Sequence, residues 1–473
     1  MSRPSLRKHL NALSRLAGSH YAFSGGSHAT ATELLKPSDD VSRAQNWDNR
    51  LWAHEEPVWK PYKLGETPGY APLQLGECLV GMHAQYRIIR KLGWGAESNI
   101  WLVERVASKH STLELGRLLV AKVLTAHASE LEFGKTTCQM PLLNEINHHS
   151  NPREEGYIIG SDHIIAMADW GAHQSRHGIH AFSIMLPMST TVHNVRRTFR
   201  TVDPSRDVML VRRVLMQMCF ALGCVHELGY IHGDVKADNI SVPLFATSIP
   251  DLKRYLEEVP AESLPPRIFP EHSPDPITCV KSQPYPPIGN DHDVHRIFLK
   301  LGDFSSAIRA STNTTGLRAM PRMLRAPEII LGHRWGQPID VWALGCLTAE
   351  LLLHESLFHP GKDEDDATDS EHLAQMIDVL GPFSGEVLAN SPLRDKFFNA
   401  NGMLKLLDGA KRTPLSPLRH RLAKAGLTGT TLDEVDALLR RMLTLDPDWR
   451  PAARRLFGDP FIKGFDLNTN SFR

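Results

Sequence analysis

Two short stretches near residue 90 alternate apolar and polar side chains around a glycine-rich turn. Tyr86 and Ile88 precede the turn, and Ile100 and Leu102 follow it. Alternation with a period of two is typical of a half-buried strand, so this pattern predicts a β-hairpin. The apolar run at 118–123, which contains one lysine, predicts a further buried strand.

Apolar residues later in the chain recur at the helical period instead. Spacings of three and four residues predict one long helix with a single buried face, and two more helices are predicted at 341–353 and 432–443. Strands come first and helices follow, without regular alternation, which favours an α+β fold with two segregated lobes. The apolar positions of the long helix are Val211, Val214, Leu215, Met218, Leu222 and Val225.

A proline-rich segment at 243–297 interrupts this pattern. Proline removes a backbone donor and fixes φ, so such a segment cannot sustain a long helix or a central strand. We predict a surface insert with one short helix near 252–258. We expect this insert to contribute little to a packed core.

The two ends of the 473-residue chain differ from its middle. Residues 1–45 carry several basic side chains before the first acid, Glu33, which is typical either of a disordered tail or of a mitochondrial targeting segment. Residues 46–85 contain three tryptophans and predict an arm whose aromatic rings pack onto a domain. We place the start of the ordered core near Tyr86, and residues 466–473 form a short tail.

Composition narrows the function classes. There are 53 basic and 53 acidic residues, so the formal net charge is +0 and no global field favours nucleic acid or anionic lipid. The six cysteines form no C-x-x-C pair, which argues against a disulfide framework or a zinc site and favours a reducing compartment. No run of about 20 uninterrupted apolar residues predicts a membrane span.

The turn of the predicted hairpin has the pattern G-x-G-x-x-S. Glycines let a backbone approach phosphate oxygens closely and present N–H donors, so the turn predicts phosphate contacts, with an ordinary hairpin turn as the alternative. No helix follows it, which argues against a dinucleotide-binding motif. The candidate contacts are Leu92, Gly93, Trp94, Gly95, Ala96, Glu97, Ser98 and Ile100.

A lysine near the end of the third predicted strand is the next candidate. Ala121 and Lys122 follow the glycine turn closely, which favours a phosphate-pairing role over that of a lysine at a strand edge. Such a lysine needs a carboxylate partner. We favour Glu145, on a predicted helix, over Glu130 and Glu132.

A short polar loop directly after the long helix is the strongest signal. Asp234, Lys236 and Asn239 offer a base, a cation and a metal-ligating amide in the pattern H-x-D-x-x-x-x-N. Further along, Asp303 ends a predicted strand and suits Mg²⁺, which takes oxygen ligands. Glu328 is expected to pair with a late arginine such as Arg450.

Together these motifs resemble the eukaryotic protein kinases from about residue 86 to 461. The resemblance is closer to the SR-protein kinases, specifically their fungal subfamily. It is carried by the approach segment at 70–76, by Trp94 within the glycine turn, by the position of the 243–297 insert, and by the segment at 357–381.

The resemblance implies a bilobal kinase fold. A small antiparallel-sheet N-lobe with the hinge would occupy residues 86–188, and a larger helical C-lobe would occupy 189–465. ATP and Mg²⁺ are the implied cofactors. Leu186 and Met188 would contact adenine, with Met185 as the gatekeeper.

The resemblance also assigns catalytic roles. Lys122 would pair the α- and β-phosphates and Glu145, and Asp234 would accept the substrate hydroxyl proton. Lys236 would neutralise the transferring phosphoryl group, while Asn239 and Asp303 would hold Mg²⁺. The implied activity is transfer of the γ-phosphoryl group to Ser or Thr of proteins.

Three positions depart from the family pattern. Gly233 replaces the usual arginine before the base, so activity without activation-segment phosphorylation is expected. Ser305 and Ser241 could weaken ATP binding. The alternatives are a pseudokinase scaffold that binds partners and a small-molecule phosphotransferase of similar fold.

The acidic run at 363–371 suggests a substrate class. Its charge alone is typical of a solvated loop, but SR-protein kinases carry an acidic docking site for arginine-rich substrates in this region, so Arg/Ser-rich proteins are candidate partners. We expect a monomer in the cytoplasm and nucleus, or in mitochondria if the tail is a targeting segment. The six acids are Asp363, Glu364, Asp365, Asp366, Asp369 and Glu371.

Overall fold

The computed structural model describes residues 63, 68–109, 114, 116–134, 136–198, 204–266, 276–287, 297–361, 363–410 and 414–463. The sequence interpretations for the tail at 1–45, for the three tryptophans of the arm and for the tail at 466–473 lie outside these residues.

A six-stranded antiparallel sheet forms the N-lobe, in the order β1-β2-β3-β4-β6-β5. The predicted hairpin is confirmed as β2 and β3, which pair Gly95 with Ser98 at the turn. All seven residues of β4 are buried, which explains its continuous apolar sequence. The strands are β1 (Cys78–Val80), β2 (Ala84–Gly95), β3 (Ser98–Ser108), β4 (Leu118–Leu124), β5 (Met167–Ser175) and β6 (Gly178–Met185).

Two helices lie between β4 and β5. Helix α1 (Ala126–Phe133) begins at Thr125, whose side chain accepts a hydrogen bond from the Ala128 N–H and so caps the helix. Helix α2 (Gln139–His148) buries Leu142, Leu143 and Ile146 in the main hydrophobic core. Because these positions follow the helical period, one face of α2 is fixed against the interior.

The ordered core begins before Tyr86, which corrects the sequence expectation. Strand β1 pairs with β2, and Ala71 and Leu73 pack in the N-lobe core. The end of the arm is therefore part of the lobe, because its apolar side chains complete the core beside the sheet.

The C-lobe is helical and follows a short hinge. Its long central helix is confirmed as α4 (Pro204–Glu227), which spans more residues than its apolar pattern marked. Within the described residues, one stretch, Asp207–Glu227 of this helix, has the length and composition to cross a membrane, although charged residues interrupt its apolar sequence. Most of that stretch is buried, as in the central helix of a folded domain.

The remaining elements after the hinge are short strands and helices, several of which pack against α4. The C-lobe strands are β7 (Met188–Thr191), β8 (Tyr230–Ile231), β9 (Ile240–Pro243), β10 (Lys300–Leu301) and β11 (Ile308–Arg309). The helices are α3 (Val192–Thr198), α4 (Pro204–Glu227), α5 (Ile249–Glu258), α6 (Pro327–Ile330), α7 (Pro338–Leu353), α8 (Asp366–Leu380), α9 (Gly385–Ala389), α10 (Arg394–Phe397), α11 (Leu418–Lys424), α12 (Gly429–Met442), α13 (Ala453–Leu456) and α14 (Pro460–Lys463).

The proline-rich insert packs against the N-lobe, contrary to the expectation of a surface segment. Its predicted helix is confirmed as α5, where Leu252 is fully buried and packs with Leu118. Further on, Val280 belongs to the N-lobe core and the Gln283 N–H donates to the Lys91 carbonyl at 2.9 Å. Proline excludes regular secondary structure here, but extended chain still buries apolar side chains.

Candidate active site

A cavity of about 440 Å³ lies between the two lobes. This volume falls in the range of small-molecule sites. Ten of the residues predicted to bind nucleotide or metal line it: Leu92, Trp94, Gly95, Ser98, Ile100, Lys122, Leu186, Met188, Asn239 and Asp303. The gatekeeper position Met185 and the predicted departure Ser241 line it as well.

The glycine turn covers this cavity and is anchored by the arm. The Tyr70 hydroxyl donates to the Gly95 carbonyl at 2.8 Å, and the Tyr70 ring meets the Trp94 ring edge-on at 6.2 Å between centroids. Gly93, Ala96 and Glu97 belong to the same hairpin but do not line the cavity. Glu97 instead lines a smaller neighbouring cavity, and burial raises the pKa of its carboxyl group.

Lys122 is held by an amide and a carboxylate. Its Nζ donates to Gln139 Oε1 at 2.9 Å and to Asp303 Oδ1 at 2.6 Å. Gln139 is the first residue of α2 and is almost fully buried. Its amide nitrogen is buried without a hydrogen-bond partner, so the Lys122 contact uses only half of the amide.

Glu145 does not pair with Lys122, so that prediction was wrong. Its Oε1 accepts from the Tyr230 hydroxyl at 2.9 Å and from Arg309 at 2.7 Å. The reason is the position of each residue around the helix. Gln139 lies on the apolar face of α2, three, four and seven residues before Leu142, Leu143 and Ile146. Glu145 lies off that face. The sequence signal that could have identified Gln139 is a polar residue on the otherwise apolar face of a predicted helix.

Ala121 also differs from its predicted place. It packs in the N-lobe core, fully buried, while its neighbour Val120 lines the cavity with Lys122. Successive side chains of a strand point to opposite faces, so Lys122 and Ala121 cannot both face the cavity.

The catalytic loop brings Asp234, Lys236 and Asn239 together. One carboxylate oxygen of Asp234 accepts from Lys236 Nζ at 2.6 Å and from Asn239 Nδ2 at 2.9 Å. The other, Oδ1, is buried with no hydrogen-bond partner. This arrangement leaves one acceptor available for a hydroxyl donor.

Gly233 shapes the backbone before Asp234. Its φ is +77°, a left-handed conformation that glycine adopts without steric cost. The N–H groups of His232 and Gly233 donate to the Asp340 carboxylate at 2.8 and 2.9 Å. The start of helix α7 thereby fixes the loop that presents Asp234.

Asp303 lies opposite this loop with an unusual backbone. Its φ is 55°, which is strained for a residue with a side chain. The Ser305 hydroxyl donates to Asp303 Oδ1 at 2.9 Å, so Ser305 supports this carboxylate. Burial would raise the pKa of Asp303, but Lys122 and the Ser305 hydrogen bond lower it far below its usual range.

The donor set suits one hard cation completed by ligand oxygens. Within the described part of the chain, no group of three or more His, Cys, Asp or Glu side chains could hold a metal ion. Asp303 and Asn239 line one cavity, and the Asn239 amide nitrogen is directed to Asp234, which leaves its oxygen as an acceptor. A carboxylate and an amide oxygen fit Mg²⁺, which usually keeps waters and phosphate oxygens as its other ligands.

The insert supplies a cavity residue that the sequence analysis missed. Tyr285 lines the cavity, and its hydroxyl donates to the Met188 carbonyl in the hinge at 2.7 Å. The preceding hinge carbonyl, that of Pro187, accepts from the Leu244 N–H at 3.0 Å. No local pattern connects an aromatic residue in a proline-rich segment with a hinge about 100 residues earlier.

The acidic run is largely paired within the chain, which contradicts its reading as an open docking site. Glu364 contacts Arg318, Arg322 and Arg325, and Asp369 contacts Arg318 and Arg325. We call these three arginines and two acids the arginine cluster. Glu371 and Asp369 are buried. Asp363, Asp365 and Asp366 are exposed; Asp365 caps helix α8, and Asp366 pairs with Lys396.

The predicted pair of Glu328 and Arg450 is confirmed. Two hydrogen bonds of 2.6 and 2.8 Å join them, and both side chains are buried. The Arg450 guanidinium also lies over the Trp342 ring at 4.9 Å. This pair joins α6, which follows the arginine cluster, to the end of the C-lobe.

Comparisons with known proteins agree with this geometry. The family model described as "Protein kinase domain" matches residues 289–462. The serine/threonine-protein kinase SRPK of Physarum polycephalum is 26% identical over 424 residues, which cover 87% of this chain and 92% of that protein. Protein kinase dsk1 of Schizosaccharomyces pombe is 23% identical, covering 88% of this chain and 86% of that protein.

One further relative matches over a shorter stretch of the chain, and one solved structure has a similar fold. The serine/threonine-protein kinase SKY1 of Saccharomyces cerevisiae is 31% identical over 167 residues, which cover 35% of this chain and 22% of that protein. The crystal structure of the PF14_0431 kinase domain has a TM-score of 0.55 and 18% identity, covering 83% of this chain and 98% of that one. This structural likeness shows the fold.

The bilobal fold, the cleft residues and the matching domain define a protein kinase. Its homologues over most of the chain are SRPK-family kinases at modest identity, among them proteins named as serine/threonine-protein kinases.

Proposed function

We propose that this kinase transfers the γ-phosphoryl group of MgATP to Ser or Thr of Arg/Ser-rich proteins. The observation that carries the proposal is that Lys122, Asn239 and Asp303 line one cavity between the lobes, and that Asn239 is hydrogen-bonded at 2.9 Å to Asp234 beside it. Phosphoryl transfer depends mainly on positioning and charge stabilisation, which this set provides. Mg²⁺, when held by Asn239 and Asp303, would supply charge neutralisation at the phosphate oxygens.

The side chains would divide the chemistry as follows. Asp234 Oδ1, the oxygen without a partner, would accept a hydrogen bond from the substrate hydroxyl and then its proton. Lys236, already bound to Asp234, would stabilise negative charge beside it. Lys122 would exchange its contact with Asp303 for phosphate oxygens while Gln139 keeps its direction.

Two points support a preference for Arg/Ser-rich substrates. The first is the resemblance to the SR-protein kinases, and the second is an exposed acidic surface, which is smaller than the sequence indicated. Asp363 and Asp366 are exposed at the start of α8 and would attract guanidinium groups. Such attraction is screened beyond about 8 Å at physiological salt, so it should affect substrate KM and not the chemical step. We further propose a monomer in the cytoplasm and nucleus, which fractionation of tagged protein would test.

The direct test is a radiolabelled-ATP assay with an Arg-Ser repeat peptide, a generic basic protein and no protein substrate. We expect transfer to the repeat at the lowest KM, and loss of transfer in EDTA. In the variant Asp363→Asn with Asp366→Asn, the KM for the repeat should rise about threefold at low salt because two exposed charges are lost. Transfer in EDTA equal to that in Mg²⁺ would reject the metal-dependent mechanism, and no transfer to any protein would favour a scaffold.

A further inference from the structure

The insert, and Tyr285 in particular, takes part in the nucleotide site. Residues 276–287 form an extended segment that lies along the N-lobe and reaches the hinge; we call it the strap. Gln74 Nε2 donates to the Thr278 carbonyl at 2.9 Å. The Gln283 N–H donates to the Lys91 carbonyl at 2.9 Å, so the strap is bound on both sides of its buried residue Val280.

The strap fixes Tyr285 from the N-lobe side, and the Met188 carbonyl fixes it from the hinge side. A single residue, Pro284, separates Tyr285 from the Gln283 backbone contact, which leaves its ring little freedom to leave the cavity wall. The hydroxyl lies 2.7 Å from the hinge carbonyl. Burial raises the pKa of Tyr285 well above its ordinary value, so the hydroxyl stays a donor at neutral pH.

We propose that Tyr285 is a specificity-determining residue of the nucleotide site, which closes the hinge end of the cavity and limits the size of the purine that can bind. This inference rests on the proposed use of ATP. An adenine held by Leu186 and Met188 places one ring edge against the hinge. A substituent on that edge would meet the Tyr285 side chain, and the Met188 carbonyl is not free to accept from it.

The experiment compares ATP with 2-methylthio-ATP, which carries its extra group on the hinge-facing edge of the purine. Equilibrium binding and steady-state kinetics are measured for the wild type, Tyr285→Phe and Tyr285→Ala. Tyr285→Ala removes the wall, so we expect the affinity for 2-methylthio-ATP relative to ATP to rise about tenfold, as for a cavity enlarged by one side chain. Tyr285→Phe keeps the wall and should keep the wild-type ratio.

The same kinetic measurements test the role of the Tyr285 hydroxyl separately. Tyr285→Phe loses one hydrogen bond to the hinge, so the KM for ATP should rise about threefold. The kcat and the KM for the protein substrate should stay at wild-type values, a split that general loss of structure would not give. Lys281→Ala is the matched control, because Lys281 lies on the strap but pairs with Glu262 on the exposed side. It should bind both nucleotides as the wild type does.

The outcomes separate the two proposals. If the wild type binds ATP but Tyr285→Ala keeps the wild-type ratio of the two nucleotides, the role of Tyr285 is refuted and the kinase activity stands. If the wild type binds neither nucleotide, the proposed function fails and this inference fails with it. Thermal unfolding of each variant shows that the compared proteins are folded. Should Tyr285→Ala be unstable, Tyr285→Leu provides the test, because it also removes the outer part of the ring and should raise the same affinity ratio.

Discussion

The cleft and the arginine cluster use the same kinds of side chain in opposite ways. In the cleft, Asp234 has a buried oxygen without a partner and Gln139 has an amide nitrogen without one. In the arginine cluster, Glu364 and Asp369 are each shared among arginines. The two cleft side chains keep hydrogen-bonding capacity that a ligand can use, whereas the two carboxylates of the arginine cluster are paired within the fold.

The largest effect should come from the cleft. Asp234→Ala and Asp303→Asn should each lower kcat by about two to four orders of magnitude, because proton acceptance or cation binding is lost. Thermal unfolding of Asp234→Ala should change little, since one oxygen of this carboxylate has no partner within the fold. Steady-state kinetics and calorimetry on the same preparations check this. Wild-type kcat in both variants would show that the cleft is not the catalytic site.

The arginine cluster should respond in the opposite sense, with stability lost before chemistry. Arg325 is almost fully buried and pairs with Glu364 at 2.8 Å, so Arg325→Met removes a buried, hydrogen-bonded guanidinium and should lower the free energy of unfolding by about 1–3 kcal/mol. Urea unfolding measures this. The exposed pair Arg419 and Asp433 offers a matched control, because Arg419→Met should cost less than about 1 kcal/mol. Equal losses in both variants would mean that the cluster does not stabilise the fold.

The cluster also bears on regulation. In this cluster the arginines of the segment before α6 pair with carboxylates, whereas in phosphorylation switches such arginines pair with a phosphate group. In addition, Gly233 offers no guanidinium that could bind a phosphate. We therefore keep the prediction that phosphatase treatment leaves activity unchanged. A loss that rephosphorylation between 305 and 324 restores would contradict it.

Gln139 orients a catalytic side chain without acting on the ligand itself, so its substitution should change kinetics less than substitution of Asp234 or Asp303. Gln139→Ala removes the amide that directs Lys122, so the KM for ATP should rise about tenfold while the KM for the protein substrate stays constant. Gln139→Glu is the conservative control and should restore the wild-type KM or lower it, since a carboxylate can also accept from Lys122. If Gln139→Ala binds ATP normally, Asp303 alone orients the lysine.

The smallest effect concerns pH. His372 is fully buried on α8, and burial, with Arg325 and Arg322, lowers its pKa to about 3. The unfolded chain binds a proton at this residue below about pH 6.5 and the folded chain does not, so stability falls as pH drops below 6.5. His372→Leu should remove about 1.4 kcal/mol per pH unit from that slope. Urea unfolding at pH 7, 6 and 5 measures it, and an unchanged slope would contradict burial of a neutral His372.

Sequence reasoning succeeded where function depends on a few adjacent residues. Asp234, Lys236 and Asn239 lie within six positions, and the loop that joins them fixes their separation. It failed where phase or distant partners decide: Glu145 was chosen over Glu130 and Glu132, but helix phase gives Gln139 the contact with Lys122, and strand phase turns Val120 instead of Ala121 to the cavity. The acidic run was read by its position in the resembled family, but its arginine partners lie about 40 residues earlier in the chain, and no local pattern reveals such a pairing.

The strap has a mechanical consequence for the opening of the two lobes. In a molecule joined only at a hinge, one strand of chain bends when the cleft opens. Here the strap forms a further connection beside the hinge, because Gln283 bonds to the Lys91 carbonyl in the N-lobe and Tyr285 bonds to the Met188 carbonyl in the hinge. Opening must deform the hinge and the strap together, so the resting angle between the lobes should be narrowly defined.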